Sequence, residues 1–322
     1  MEETAIYQNK RILLIAGGGT LGSYTSRELL DRGAIVDVIC LEDHVSENDR
    51  LTYYREYVSQ ELLERLFAAH HYDGIVNFIH YKTVEEYEPI HELLIRNTDH
   101  LIFLSSYRAY ADECHPVTEE APHLLDVTRD EEFLAVEDYA LPKARCERFL
   151  REKHAGEHWT IVRPVISFSH RRLDLFVYSD NDLREQMDKY GAVSMPTFAK
   201  DLVAGIDWAG NSGKLIANLL HKKATIGEAY TVSSAQNLTW GEVAELYTEL
   251  FDVKVEWCDE ETFIKRYPNV TRDKKWMYLY DRKFSRDIDN RKILAATGLT
   301  SKDFLPIREG IKIEIENKKK FG

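Results

Sequence analysis

A short apolar run that ends in three consecutive glycines is the feature that most constrains how this chain of 322 residues can fold. Residues 11–16 read RILLIA, and Gly17, Gly18 and Gly19 follow them directly. Apolar residues at helical spacing come next, and a β-rich run, AIVDVICL, occupies residues 34–41. A strand, a glycine turn, a helix and a second strand in this order predict a βαβ unit.

The alternation of apolar runs and amphipathic stretches continues through the first half of the chain. We expect helices at residues 58–69, 85–96 and 139–153, and strands at residues 74–79, 101–105 and 159–163. Strands without polar alternation are typical of a parallel sheet that is buried on both faces. The first half therefore predicts an α/β fold with a Rossmann-type doubly wound parallel sheet.

After Pro164 the pattern is looser. Residues 170–187 are polar and irregular, whereas Thr239 with Glu242 three residues later is the signature of a capping box. The other elements that we expect are a helix at 197–209, strands at 229–232 and 253–257, a helix at 239–251 and a mixed segment at 303–318. We predict one domain at residues 1–165, to which part of 190–235 returns, and a smaller α/β lobe at residues 166–322.

Charge and cysteine usage exclude several kinds of protein. The formal net charge is -13 and the pI is near 5.5, so the chain lacks the basic balance with which nucleic-acid-binding proteins neutralise phosphates. No apolar stretch approaches the ~20 residues that span a bilayer, and no signal peptide is visible. The four cysteines (Cys40, Cys114, Cys146 and Cys258) are far apart, which fits a reducing compartment and gives no metal-ligand spacing. We expect a cytoplasmic protein that binds neither metal, nucleic acid nor membrane.

The glycine turn has the chemistry of a dinucleotide-binding loop. Glycine lets the backbone approach a pyrophosphate, and the helix that follows offers free N–H groups and the positive end of its dipole. Gly22 would let that helix pack close to the sheet. The alternative is a plain tight turn. The residues that we expect to contact the cofactor here are Gly17, Gly18, Gly19, Thr20, Leu21 and Gly22.

The end of the second predicted strand indicates which dinucleotide is bound. An acidic residue about twenty positions after the glycines would bond the ribose hydroxyls of NAD. Glu42 is the first candidate and Asp43 the second. No arginine follows this strand directly to take a 2′-phosphate, which favours NAD over NADP.

A tyrosine and a lysine four residues apart open the helix predicted at residues 139–153. Tyr139 and Lys143 lie on one helical face, where a nearby ammonium favours the phenolate. Such a tyrosine can take a proton from a hydroxyl, or return one, as hydride moves at the adjacent carbon. Ser105 and Ser106 follow a predicted parallel strand, at the edge where ligands bind, so a serine hydroxyl can hold the substrate oxygen.

With these motifs together, the sequence resembles the extended short-chain dehydrogenase/reductases, the family of NAD-dependent sugar-nucleotide epimerases and dehydratases. The glycine loop looks like that family's loop, and residues 105–110 (SSYRAY) are similar to its Ser-Ser-x-x-Val-Tyr stretch, which implies that Ser106 is the catalytic hydroxyl. Tyr139 and Lys143 match its Tyr-x-x-x-Lys. The resemblance implies an NAD-binding first domain, a substrate-binding second lobe and a homodimer.

Other segments extend the resemblance over nearly the whole chain. Residues 73–80 (DGIVNFIH) are similar to the family's fourth strand, which implies that Ile79 and His80 border the cofactor. Arg163 and Pro164 are similar to its strand-end Arg-Pro, and we expect both beside the cofactor. Residues 227–232 (GEAYTV) and 289–292 (DNRK) resemble two of its late motifs.

The sequence departs from the family at several of these positions. Ala16 stands in the place of the first glycine, and His80 stands where a small alanine is usual. Pro142 replaces the usual serine before the lysine. Cys40 occupies the most literal position of the ribose-binding acid, which leaves that role to Glu42.

Three functions are compatible with these motifs. The first is an NAD-dependent epimerase or dehydratase that acts on a nucleotide-activated sugar by transient hydride transfer, with Tyr139 as acid and base. Dehydration is less favoured, because Tyr107 and Arg108 follow Ser106 instead of Asp-Glu. The second is an NAD(P)-dependent reductase or dehydrogenase of a small carbonyl or hydroxy compound. The third is a cofactor-sensing or RNA-associated scaffold, which the retained tyrosine and lysine disfavour. The candidate substrate contacts are Tyr107, Arg108, Arg171, Arg172 and Arg282.

Overall fold

Parallel strands and covering helices make up most of residues 7–136 and 139–321, the parts of the chain that the computed structural model describes. The strands are β1 (Arg11–Ile15), β2 (Ile35–Cys40), β3 (Leu51–Arg55), β4 (Gly74–Asn77), β5 (Leu101–Leu104), β6 (Trp159–Pro164), β7 (Ile166–Phe168), β8 (Val193–Pro196), β9 (Ile206–Trp208), β10 (Ala229–Val232) and β11 (Val255–Cys258). The helices are α1 (Thr20–Asp31), α2 (Gln60–Ala69), α3 (Val84–Ile95), α4 (Leu124–Val127), α5 (Glu131–Ala135), α6 (Ala140–Lys153), α7 (Asp180–Tyr190), α8 (Ala209–Ala217), α9 (Trp240–Phe251), α10 (Glu260–Arg266), α11 (Lys275–Met277), α12 (Arg291–Thr297) and α13 (Ile307–Phe321).

Within the described residues, seven strands form one parallel sheet in the order β10-β6-β5-β4-β1-β2-β3. The chain runs outward from β1 to β3 and then returns to β4 on the other side of β1. This confirms the predicted Rossmann-type doubly wound sheet. The reversal leaves a crevice at the carboxyl ends of β1 and β4, which is where such sheets bind ligands.

Apart from the edge strand β3, the strands of this sheet are largely buried because helices cover both of its faces. Apolar side chains of β1 alternate between two clusters, with Ile12 and Leu14 in one and Leu13 and Ile15 in the other. Asp37 is the buried exception in β2. Its Oδ2 accepts hydrogen bonds from Arg11 Nη1 and from the Tyr72 hydroxyl, both at 2.7 Å.

The chain comes back to this sheet after residue 200. Helix α8 packs against α1 so closely that a side-chain carbon on Gly213 would lie 2.7 Å from the backbone nitrogen of Thr25. Strand β10 then pairs with β6 at the edge of the sheet.

The remaining elements form a smaller lobe around its own apolar core. Two small parallel sheets, β7 with β9 and β8 with β11, contribute to it. Aromatic rings of Phe176, Trp240 and Phe263 meet edge to face at its centre. Helix α9 begins as the sequence predicts: Thr239 Oγ1 accepts from the N–H of Glu242 at 3.2 Å, and Glu242 Oε2 accepts from the N–H of Thr239 at 2.8 Å.

Three secondary-structure predictions for the looser parts of the chain were wrong or incomplete. The helix expected at residues 197–209 is a short 3₁₀ turn (Thr197–Ala199) followed by β9. It does not form because the N–H groups of Val203 and Ala204 bond Ser285 and Leu238 instead of carbonyls of their own segment. Residues 170–187 were expected to be irregular, but they contain most of helix α7. A capping box of Ser179 and Asp182 stabilises the start of this helix.

Residues 303–318 were expected to have mixed secondary structure, but most of them belong to the single helix α13 of 15 residues. Strand β3 was not anticipated. No helix within the described ranges has both the length and the apolar character that crossing a membrane requires.

Candidate active site

A cleft of about 500 Å³ opens at the carboxyl edge of the main sheet. Residues 19–22 line it at one end, and Ser106 and Tyr139 line it in the middle. The other end is lined by Asp281 and Arg282 from the smaller lobe. The sheet therefore brings the glycine loop (residues 16–22) and the predicted catalytic residues into one cavity.

The glycine loop makes the tight turn that its sequence predicts. Ala16, in the place of the first glycine, has φ of 55°, a left-handed conformation that L residues seldom adopt. The N–H of Gly17 then bonds the carbonyl of Ile39 at 3.1 Å. A side-chain carbon on Gly22 would overlap the backbone of Gly17, so α1 can approach the loop only because Gly22 lacks one.

The start of α1 faces the cleft with free backbone donors. Gly19 is its N-cap, and no side chain of the described residues caps it. An added carbon on Gly19 would have no neighbour within 4 Å, so the space in front of the helix is open. The first-turn N–H groups and the helix dipole together form a site for an anion such as a pyrophosphate.

A second cavity, of about 370 Å³, lies on the other side of the glycine loop, and Ala16 lines both cavities. Glu42 and Ile79 line the second one. The carboxylate of Glu42 lies directly over Gly18, where an added side-chain carbon would overlap it. The glycine loop thus lies between two cavities, and Glu42 lines the second of them.

The structure places Arg171 at the glycine loop rather than among the substrate contacts where the sequence led us to expect it. Its Nη1 donates to the carbonyl of Gly18 at 2.5 Å and lies 4.0 Å from Glu42 Oε1. Beside it, Thr20 Oγ1 and Ser169 Oγ are 2.9 Å apart. Arg171 was not expected at this loop because it comes from the turn after β7 and not from the residues that follow β2.

Lys143 and Tyr139 are close to each other at the start of α6. The Lys143 side chain is buried, its Nζ donates to the carbonyl of Leu104 at 2.6 Å, and the same nitrogen lies 5.1 Å from the centre of the Tyr139 ring. Tyr139 is 37% exposed, and its ring lines the cleft. Pro142 is accommodated because the first turn of a helix has no internal acceptor for its N–H groups.

Ser106 ends β5 and caps a short 3₁₀ turn (Tyr107–Ala109). Its side chain is buried at the wall of the cleft, and its Oγ accepts from the N–H of Arg108 at 3.2 Å. This leaves the hydroxyl proton of Ser106 able to donate to a ligand in the cleft.

Arg108 follows on the same turn and lies over the ring of Tyr139. Its guanidinium carbon is 5.5 Å from the centre of the Tyr139 ring, and its Nε is 3.8 Å from Asp281 Oδ2. The Tyr107 hydroxyl donates to the same carboxylate oxygen at 2.9 Å. Burial opposes ionisation of Asp281, but Arg282, Arg286 and Arg108 hold its pKa below the usual range, so it is a carboxylate.

The structure does not bring every predicted cofactor contact to the cleft. The guanidinium of Arg163 is buried in a pair with Glu147, and its Nη1 also donates to the Tyr110 hydroxyl at 2.8 Å. Pro164, the next residue, does line the cleft. His80 packs on the ring of Tyr139, with ring centres 5.0 Å apart.

Several residues that line the cleft were not among the site residues expected from the sequence, and Phe78 and Asp281 are two of them. Phe78 lines the cleft directly after β4, one position before the pair that the resemblance singled out. Asp281 lay at the end of the aromatic run of residues 276–280. The signal that could have revealed it is an acid that directly follows an aromatic-rich run and precedes Arg282 and Arg286.

No protein-family model and no curated protein matches this sequence, whereas solved structures match nearly all of it. An epimerase from the methanogen Methanothermobacter thermautotrophicus is 15% identical with a TM-score of 0.71, over 100% of this chain and 97% of that one. The Bordetella bronchiseptica enzyme WbmH, in complex with NAD+, is 14% identical with a TM-score of 0.69, over 98% and 100%. UDP-glucuronic acid 4-epimerase from Bacillus cereus, in complex with UDP-glucuronic acid and NAD, is 14% identical with a TM-score of 0.68, over 97% and 100%. At these identities the likeness shows a shared fold.

Proposed function

We propose that this protein is an NAD-dependent enzyme of the epimerase/dehydratase type that acts on a nucleotide-activated sugar. The observation that carries the proposal is that Tyr139, with the buried Lys143 Nζ 5.1 Å from the centre of its ring, lines one cleft with the open N-terminus of α1. Two structural neighbours support it, one in complex with NAD+ and one in complex with UDP-glucuronic acid and NAD.

The residues present fit a nicotinamide dinucleotide. The N–H groups at the start of α1 would hold the pyrophosphate, and Glu42 would accept hydrogen bonds from the ribose hydroxyls. Phe78 and Pro164 would flank the nicotinamide half in the larger cavity. Bound there, the cofactor would supply a reversible acceptor of hydride.

The side chains in the middle of the cleft would move one proton. The Tyr139 oxygen would take the proton of the substrate hydroxyl as that carbon is oxidised, and would return it afterwards. Ser106 would hold the same oxygen by a hydrogen bond. Lys143 is fixed by the Leu104 carbonyl, so its charge would stabilise the phenolate without moving.

The two parts of the chain would bind different ligands. Residues 1–165, with α8 and β10, would bind the cofactor, and the smaller lobe would bind the substrate. Arg172 and Arg282 line the cleft from that lobe and could pair with a diphosphate. The described cysteines are all unpaired, which agrees with a cytoplasmic location, and we propose a homodimer from the resemblance alone.

The test is mass spectrometry of small molecules released when the purified protein is denatured. We expect NAD(H) at close to one molecule per chain, since an enzyme that returns its hydride to the same substrate has no need to release the cofactor. A protein that contains no dinucleotide but turns over added NAD(P)H with a carbonyl compound would be a reductase instead. A protein that also fails to bind added dinucleotide would contradict both and favour a scaffold.

A further inference from the structure

Two imidazoles and one carboxylate lie together between α3 and the end of α6. Among the described residues, His91, His154 and Glu157 form one of two groups whose possible ligand atoms all lie within 4.8 Å of one another. Glu157 joins the two histidines. One of its carboxylate oxygens lies 3.0 Å from His91 Nε2, and the other lies 3.0 Å from His154 Nδ1. The three side chains are thus close enough to share one small ion.

The fold brings these residues together from two separate segments. His91 is on α3, and its side chain is fully buried. His154 is the C-cap of α6, and Glu157 follows it after a turn at Gly156, whose φ is 88°. The carbonyl of His154 accepts from the N–H of Glu157 at 3.2 Å and from Trp159 Nε1 at 2.7 Å. These bonds fix the turn, so the backbone sets the positions of two of the three side chains.

The contact of the other ring nitrogen of His91 suits a metal ligand. Its Nδ1 lies 3.2 Å from the hydroxyl of Tyr87, which is also buried. A hydroxyl both donates and accepts, so with an ion on Nε2 the proton of His91 would lie on Nδ1 and bond Tyr87. A second hydrogen bond of this kind orients metal-bound histidines in proteins. The ring of Phe149, 4.7 Å from that of His154, adds an apolar wall.

The ligand types and the charge of the group indicate which ion fits. Two imidazole nitrogens and one carboxylate suit Zn²⁺. A tetrahedral Zn²⁺ would separate its ligand atoms by about 3.4 Å, so the contacts at 3.0 Å would lengthen only slightly. Glu157 supplies the negative charge, since Glu92, the residue after His91, pairs with Arg96 instead. Because Glu157 is 36% exposed, a water has access as the fourth ligand.

The second group of possible ligands, Cys40, Glu42 and His44, is less suited to an ion. Cys40 Sγ donates to the carbonyl of Glu42 at 3.6 Å, and His44 Nε2 lies 3.3 Å from the carbonyl of Gly18. An ion there would displace contacts with the backbone around the glycine loop. In the first group the two 3.0 Å contacts join the ligands themselves, so an ion would replace only the protons between them.

We propose that His91, His154 and Glu157 bind Zn²⁺, with a water as the fourth ligand. The ion would link α3 to the turn between α6 and β6. The 14 residues of α6 span about 21 Å, with Tyr139 before the first and His154 after the last, so this ion is remote from the reacting groups and would stabilise the fold. The inference is independent of the proposed function. It departs from the expectation of no metal, which the sequence favoured because His91 and Glu157 are 66 positions apart.

The test is calorimetric titration of the full chain, without a histidine tag and after dialysis against EDTA, with zinc chloride. We expect one ion to bind per chain and to raise the melting temperature, because the ion binds the folded state. His154→Gln and Glu157→Gln each remove a ligand at a partly exposed position and should weaken binding by about 100-fold or more. Tyr87→Phe keeps the ligands and should weaken binding by about 10- to 100-fold.

The control is His44→Gln, which removes the histidine of the second group and should leave the zinc affinity unchanged. Loss of zinc binding in this control alone would assign the ion to the second group and overturn the proposal. Absence of one-to-one binding by the wild-type chain would overturn it as well, as would unchanged affinity in Glu157→Gln. Anomalous scattering from crystals grown with zinc locates the ion without any variant, and a strong peak elsewhere with none at His91 would also refute the site.

Discussion

Lys143 Nζ lies 5.1 Å from the centre of the Tyr139 ring while it donates a hydrogen bond to the Leu104 carbonyl at the end of β5. The carbonyl fixes the ammonium at one place, and the burial of the side chain keeps water from replacing it. A charge held in this way stabilises a negative oxygen on Tyr139 without the cost of reorganising solvent. The first two predictions follow from this pair.

Replacement of Tyr139 by phenylalanine removes the group that exchanges the proton. We expect turnover to fall by about 10²- to 10⁴-fold, the usual contribution of a positioned acid or base. Affinity for NAD, measured by calorimetry, should stay nearly unchanged. Tyr190→Phe is the matched control, because Tyr190 has the same 37% exposure and lies at the end of α7. Full turnover by Tyr139→Phe would refute the assigned role.

Replacement of Lys143 by methionine keeps the length of the side chain and removes its charge. We expect both a weaker affinity for NAD and an optimum of turnover that moves to higher pH, since the phenolate loses its nearest cation. The checks are a titration with NAD and a pH–rate profile. If neither quantity changed, Lys143 would have only a structural role.

Glu42 and Arg171 should set the choice between NAD and NADP in opposite directions. Glu42→Ala removes an acceptor for the ribose and leaves Arg171, 4.0 Å away, without its nearest acid, so we expect weaker NAD and stronger NADP binding. Arg171→Ala should lower NADP affinity, by about tenfold if a charged hydrogen bond is lost. Asp43→Ala is the control, because Asp43 pairs with Arg55 instead. If Asp43→Ala changed the preference between NAD and NADP and Glu42→Ala did not, Asp43 would be the ribose-binding acid.

The sequence predicted every strand of the main sheet except β3, because local signals and tertiary structure agree at those strands. Residues 11–16 have the short length of a buried strand, and the glycines that follow them end the run in a turn. Tyr139 and Lys143 could be predicted to lie together for a similar reason, since both residues are at the start of one helix at a fixed spacing.

Contacts between distant segments could not be predicted in the same way. Arg171 reaches Gly18 across 153 positions, and no periodicity records such a pairing. The same holds for His91 and His154, which both bond the carboxylate of Glu157 at 3.0 Å, although the sequence showed no histidine cluster. The helix expected at 197–209 failed because partners far along the chain took its backbone donors.

The buried pair of Arg163 and Glu147 should matter for stability rather than for catalysis. Both side chains are 1% exposed. Burial raises the pKa of Glu147, but the charge of Arg163 outweighs burial and holds this pKa below its usual range. Glu147→Ala leaves a buried guanidinium without its acid, so we expect a loss of about 3–5 kcal/mol in the free energy of unfolding. Urea denaturation measures it. Glu92→Ala, which breaks the exposed pair with Arg96, should cost less than about 1 kcal/mol.

His100 should make the fold less stable in acid. Burial lowers its pKa to about 3, and its Nδ1 accepts from the N–H of His221 at 3.0 Å, a bond that protonation would break. In the unfolded chain the pKa returns to about 6.5. Below pH 6.5 the unfolded state therefore binds one more proton than the folded state.

The free energy of unfolding should consequently fall from pH 6.5 towards pH 3, by up to about 1.4 kcal/mol per pH unit for this group. Urea denaturation at several pH values measures the slope. His100→Gln should reduce it by one proton, whereas His71→Gln at an exposed position should not. An identical slope in His100→Gln would show that other groups account for the acid sensitivity.

The pairing of β10 with β6 also determines the order in which the protein can be completed during synthesis. Strand β6 leaves the ribosome with one edge unpaired, and its partner arrives only after residues 165–228 have been translated. Thr231 in that late strand then bonds the Tyr110 hydroxyl at 2.7 Å. A nascent or prematurely terminated chain would expose a buried strand edge, so chaperones and proteases would encounter this protein most often at that stage.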